Sequence, residues 1–164
     1  GRSCVNKDYR NKPIIKLLWK AISAYMEHYK IKVIFGCASF PGVNYKKYKE
    51  QLSFLYHYYL APKSIRPKAL PPNNIQLNYC QKKDLNAYKI FKSLPPLLKG
   101  YLRLGAYVSD GAFIDKQFNT IDICIVLKLN SLKKRYINLH KKGKKSSKII
   151  FIKNFLKNKS RFIK

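Results

Sequence analysis

Residues 13–40, "PIIKLLWKAISAYMEHYKIKVIFGCASF", decide the fold class. Pro13 suits the first turn of a helix, where its missing N–H costs nothing. Ile14, Leu17, Leu18, Ala21 and Tyr25 recur at helical spacing to about Tyr29 and make one apolar face. The pattern then changes. Residues 31–40 form a continuous apolar run between Lys30 and Pro41, short and rich in β-branched residues, which predicts a buried strand. Upstream, "GRSCV" (1–5) reads as the end of another buried strand, parallel to that one, with "NKDYRNKP" (6–13) as the loop into the helix. Strand, helix, strand is a βαβ unit, so the expected class is α/β with a central mixed sheet flanked by helices.

Downstream, a second helix is predicted over 45–60. Residues 61–74 hold too many prolines for a helix and read as an extended connection. A short helical stretch is expected around 83–92, and another helix over 94–105, entered through Pro95 or Pro96. "AYVSDGAFI" (106–114) and "TIDICIVLKL" (120–129) read as two strands. In the second, Ile121, Ile123, Ile125 and Leu127 share one face while Asp122, Cys124 and Val126 share the other, the pattern of an inner strand covered on both sides. Beyond Leu129 the composition shifts, so the expected organisation is one domain over 1–129 and a basic tail over 130–164. The tail ends in "KKGKKSSKIIFIKNFLKNKSRFIK" (141–164), which has no acid. It reads either as a solvated segment or as a basic amphipathic one that settles on anionic lipid.

Composition narrows the function. The 164 residues carry Lys+Arg 35 against Asp+Glu 7, a formal net charge of +28. No apolar run approaches the roughly 18 residues of a membrane span. Cys4, Cys37, Cys80 and Cys124 are far apart and lack C-x-x-C spacing, which predicts free, buried thiols in a reducing cytoplasm and no zinc site. There is no G-x-S-x-G and no Walker loop. His28, His57 and His140 are scattered and read as structural. The charge permits a basic RNA-binding protein, but the tyrosines and phenylalanines sit in apolar helices and strands with no RNP-like pattern, so no specific nucleic-acid partner is expected.

Two places carry candidate chemistry. Tyr9, Arg10, Asn11 and Lys12 lead into the start of a helix, where free N–H groups and the dipole favour an anion such as a phosphate; an ordinary charged loop fits equally. The second is "SDGAFIDKQFNTID" (109–122), which gathers Asp110, Asp115 and Asp122 in a chain poor in acid. Asp110 before Gly111 is a good turn. Asp115 and Asp122 can converge near one substrate, with an ion pair from Asp122 to Arg2 or Arg103 as the structural alternative.

In order, "GRSCV", "LLWKAISAY", "IFGCASF", "LSFLYHYYLAP", "LPPLLKGYLRLGA" and "DGAFIDKQFNTID" resemble the L-ornithine N-alpha-acyltransferases, the ornithine-lipid-forming, hemolysin-like branch of the GNAT superfamily. The resemblance covers about Gly1 to Leu127. It implies a GNAT-like N-acyltransferase fold entered part-way, so that a part upstream of Gly1 is expected. It also implies transfer of a 3-hydroxyacyl group from acyl carrier protein to the alpha-amine of L-ornithine, giving lyso-ornithine lipid. On that reading Arg2 and Ser3 belong to the catalytic strand, with backbone N–H groups from Ser3 to Val5 facing the oxyanion, and Asp115 and Asp122 would bind the ammonium groups of the acceptor or assist proton removal. Cys4 and Val5, with Tyr9 to Lys12, would hold the phosphopantetheine arm. The loop "YRNKPI" (9–14) departs from the glycine-rich loop of coenzyme A users, which favours a carrier-protein donor over free coenzyme A and no tightly bound cofactor. A basic surface suits an acidic carrier protein. Related carrier-protein acyltransferases place a Glu just before this strand. If that Glu is the base, residues 1–164 are inactive alone. The expected location is the cytoplasm, peripheral to the inner face of the membrane. A related transferase with another amine acceptor remains the alternative.

Overall fold

A computed structural model describes residues 6–9 and 14–128. The chain divides into two compact units, one containing residues 1–32 and the other residues 33–135. In the first, a single 3-10 turn at Lys7–Tyr9 precedes α1 (Ile14–His28). α1 closes with Lys30 in the left-handed region (φ 54°), and the Ile31 N–H reaches back to the Met26 carbonyl at 2.8 Å. The helix falls where its periodicity places it, but Leu17, Leu18, Ala21 and Tyr25 of the apolar stripe are exposed. Residues 1–5, expected as a first strand, lie outside the described residues, as does the tail.

The second unit is built on a sheet. β1 (Val33–Pro41) pairs along its whole length with β5 (Thr120–Lys128), antiparallel, from Val33 opposite Lys128 to Pro41 opposite Thr120. On the other edge of β5 lie β3 (Tyr107–Val108) and β4 (Ala112–Asp115), and β2 (Asn74–Ile75) pairs with β4. All these pairs are antiparallel, and two isolated parallel bridges join Leu60 to Val108 and Lys68 to Asp110. β5 is thus the inner strand its composition suggested. The single strand expected over 106–114 is broken into β3 and β4 around Ser109–Gly111. Gly111 takes φ +96°, and a side chain there would meet Ala69 Cβ and the Ile75 carbonyl at 3.1 Å, so the interruption requires glycine.

Between β1 and β2 come a 3-10 turn at Tyr45–Tyr48 and α2 (Lys49–Tyr59), which divide the helix expected over 45–60. Asn44 closes the turn by accepting from the Lys46 N–H at 3.2 Å. Then follow α3 (Ala87–Ser93), capped by Asn86, and α4 (Pro96–Arg103), with Pro95 as its N-cap. α2 lies against β3 and α4 against β1. One sheet face carries the buried side chains Ala38 and Phe40 of β1, Val108, Ala112, and Ile121, Ile123, Ile125 and Leu127 of β5; Leu52 and Leu55 of α2 and Leu98 and Leu102 of α4 are buried as well. Each of the Val, Leu, Ile and Phe side chains among them is worth roughly 1.5–3 kcal/mol.

The opposite face differs from expectation. Of β1 only Ala38 and Phe40 are buried, and Phe35 is 81% exposed. The uninterrupted apolar run is therefore not a strand buried on both sides. Its hydrophobicity serves one face, and its other face lacks a described cover. No helix among the described residues is long and apolar enough to cross a membrane.

Candidate active site

The open face of the sheet collects the polar and reactive side chains of the strands. Alternation along β5 puts Asp122 and Cys124 on it, and the register brings Ser39 opposite Asp122 and Cys37 opposite Cys124 on one side, with Phe113 opposite Asp122 on the other. Cys37 and Ser39 are exposed, and Asp122 and Cys124 are half-buried.

Asp122 is the centre of this group. Its Oδ1 is the buried side-chain polar atom left without a hydrogen-bond partner among the described residues. A carboxylate oxygen withdrawn from water and unmatched by a donor is costly, so a site that receives a cation or N–H donor is its natural complement. Around it the titrating groups are held neutral. Burial pushes the Cys37 thiol up, and the Asp122 charge adds to that. Burial and then Cys37 push up the Cys124 thiol. Burial, and next Cys37, raise the Tyr101 phenol on α4. The arrangement is one carboxylate among neutral thiols and a phenol, able to receive one positive charge.

The other two aspartates are engaged elsewhere. Asp110 sits in the β3–β4 interruption, with its carboxylate 3.9 Å from Arg66 Nη1. Arg66 is held in turn by donating Nε–H to the Ala61 carbonyl at 2.7 Å, and the Asp110 N–H donates to the Pro67 carbonyl at 2.8 Å. This is the turn role that "DG" suggested. Asp115 ends β4 and accepts the Phe118 N–H at 2.9 Å, closing the β4–β5 hairpin with Asn119 at φ 53°. It stands opposite Thr120, so it shares the open face with Asp122 diagonally. The structure therefore places Asp115 and Asp122 on one face and gives Asp110 to Arg66. Arg103, named as a partner for Asp122, lies over the Phe91 ring at 5.6 Å.

Of the proposed donor residues, Tyr9 is half-exposed in its 3-10 turn; Arg2, Ser3, Cys4, Val5, Arg10, Asn11 and Lys12 lie outside the described residues. Among the described residues the thiols are free as expected, but Cys37 is exposed and Cys80 and Cys124 half-buried, not buried. The reason is register: both Cys37 and Cys124 fall on the open face. His57 is structural, its Nε2–H donating to the Cys80 carbonyl at 2.9 Å beside an open hollow of about 380 Å³. His28 is exposed at the end of α1. No group of three metal-ligating side chains occurs among the described residues. Tyr101 and Ser39 escape sequence reading, because only strand register and the placement of α4 bring them here.

Comparison with known proteins supplies kinship. The chain is 41% identical over 140 residues to the L-ornithine N(alpha)-acyltransferase of Agrobacterium fabrum, covering 85% of this chain and 48% of the relative. The protein of that name from Brucella abortus is 41% identical over 140 residues, 85% of this chain and 50% of its own length. That from Rhodobacter capsulatus is 35% identical over 136 residues, 83% and 52% of the two chains. The chain thus spans about half the length of the curated relatives it matches. No family model matches it, and no solved structure does. The mixed helix and sheet architecture is compatible with an acyltransferase fold.

Proposed function

For a chain homologous to about half of the L-ornithine N(alpha)-acyltransferases, we propose that the protein acylates the alpha-amine of L-ornithine with a 3-hydroxyacyl group carried on the phosphopantetheine of acyl carrier protein. The observation that carries this reading is sequence identity sustained over 85% of the chain to relatives of that one name. Asp122 supports it chemically. Ornithine brings two ammonium groups, and a buried carboxylate oxygen without a hydrogen-bond partner is suited to pair with one of them.

In the reaction, the alpha-ammonium loses a proton to a base and the free amine attacks the thioester carbonyl. The carbon–sulfur bond breaks, the amide forms, and the departing thiolate takes up a proton. A general base contributes typically 10²–10⁴-fold. On this face the base is Asp122. Backbone N–H groups of Ser3 to Val5 stabilise the oxyanion, and Tyr9 to Lys12 receive the phosphate of the donor arm. No tightly bound cofactor is needed. The net charge of +28 favours an acidic carrier protein and, through residues 130–164, peripheral contact with anionic lipid at the inner face of the cytoplasmic membrane.

The test is to express the complete reading frame in a bacterial host that lacks ornithine lipids and to examine the lipid extract by mass spectrometry. The expected product is 3-hydroxyacyl-ornithine. A 3-hydroxyacyl amide of a different amine would keep the transferase and change its acceptor. Soluble protein with carrier protein present and no new acyl amide would overturn the proposal.

A further inference from the structure

Cys37 and Cys124 stand directly opposite one another in the β1–β5 ladder. The kind of pair follows from the backbone. The Cys124 N–H donates to Ser109 Oγ at 3.2 Å, and its carbonyl accepts from the Ser109 N–H at 2.9 Å. Both backbone groups of Cys124 therefore point away from β1. Opposite Cys37 it forms a non-hydrogen-bonded antiparallel pair, the close kind, with Cα atoms about 4.5 Å apart. That separation lies at the short end of the range a disulfide spans. Both thiols are free, both project to the open face, and Cys37 is exposed.

We propose that Cys37 and Cys124 are a peroxide-reactive thiol pair that closes to a cross-strand disulfide, clamping β1 to β5 beside Asp122. Cys37, the more accessible sulfur, reacts first. Its thiolate attacks one peroxide oxygen, the O–O bond breaks, and hydroxide leaves, giving a sulfenic acid. The Cys124 thiolate then attacks the Cys37 sulfur, the S–S bond forms, and a second hydroxide leaves. With the two thiol protons the balance is two thiols and hydrogen peroxide to one disulfide and two waters. The ladder holds the second sulfur in place, so closure outruns further oxidation of the first. Because burial raises both thiols, the thiolate is scarce at neutral pH, and closure accelerates as pH rises. None of this depends on which reaction the face supports.

The experiment treats the full chain with hydrogen peroxide, alkylates under denaturing conditions, digests with trypsin and reads the peptides by mass spectrometry. The expected result is a linked species joining residues 33–46 to 117–128, lighter than the two reduced peptides by two hydrogen atoms. It should disappear with dithiothreitol and form faster at about pH 9 than at about pH 7. Cys37→Ser should abolish it and leave Cys124 alkylated. Recovery of both peptides unlinked, extra oxygen on Cys37 with Cys124 still alkylated, or a link through another cysteine or between chains would each overturn the proposal.

Discussion

Asp122 and Asp115 share a face of the sheet but differ in what their oxygens do. Asp115 spends one on the Phe118 N–H in the hairpin turn, whereas Asp122 keeps Oδ1 buried and unmatched. A hydrogen bond to a charged group contributes about 1.5–3 kcal/mol. In the complete protein, Asp122→Asn should therefore raise the KM for ornithine about 10- to 100-fold. Asp115→Ala should leave KM near its original value and lower the melting temperature instead, because it removes the acceptor of the Phe118 N–H. Steady-state kinetics and thermal unfolding of the two variants read both effects, and equal kinetics for Asp122→Asn and the parent would remove it from acceptor binding. The scarcity of acid made this cluster visible in sequence. Its division of labour was not visible, because three residues of one type are separated only by which N–H or guanidinium each meets.

The interruption between β3 and β4 belongs to the scale of the element. Two extra residues bulge from the edge beside β5, which leaves the Cys124 backbone facing a gap, and the buried Ser109 fills it. Its hydroxyl donates to the Gly111 carbonyl at 2.7 Å and accepts the Cys124 N–H at 3.2 Å. Ser109→Ala should strand that carbonyl and that N–H together and cost about 1–3 kcal/mol. A denaturant titration reads it as a lower midpoint at unchanged slope; a midpoint within error of the parent would show that the ladder does not need the hydroxyl. Helices, inner strand and the Pro95–Pro96 entry were all legible from period and proline placement. The break was hidden because "SDG" sits inside an otherwise apolar run, and its turn signal competes with strand pattern on both sides. The exposure of β1 was hidden for another reason: a continuous apolar run has no period with which to say that only one face is covered.

At the scale of the molecule, charge decides behaviour. Cys37, Cys124, Tyr79 and Tyr101 are all raised by burial first. For each, the folded state holds its proton more tightly than the unfolded chain. Their contribution to stability is complete below the ordinary thiol value of about 8.5 and is lost as pH climbs through the raised values. Unfolding free energy should thus fall above about pH 8.5, first through the thiols and then through the phenols; a rise in that interval would contradict the burial of these groups. The net charge of +28 acts over a longer range. All seven acids precede residue 130, so residues 130–164 are basic without compensation, with Ile and Phe interleaved among Lys. A basic side chain near an anionic bilayer contributes about 1 kcal/mol, an attraction that salt screens within a Debye length of roughly 10 Å at 0.1 M. The apolar residues add a component that salt does not weaken. The whole chain should therefore co-sediment with anionic vesicles and partly survive raised salt, and a chain cut after Leu129 should lose most of that binding. Equal binding by the two chains would exclude the tail as the anchor and assign the attraction to the folded part.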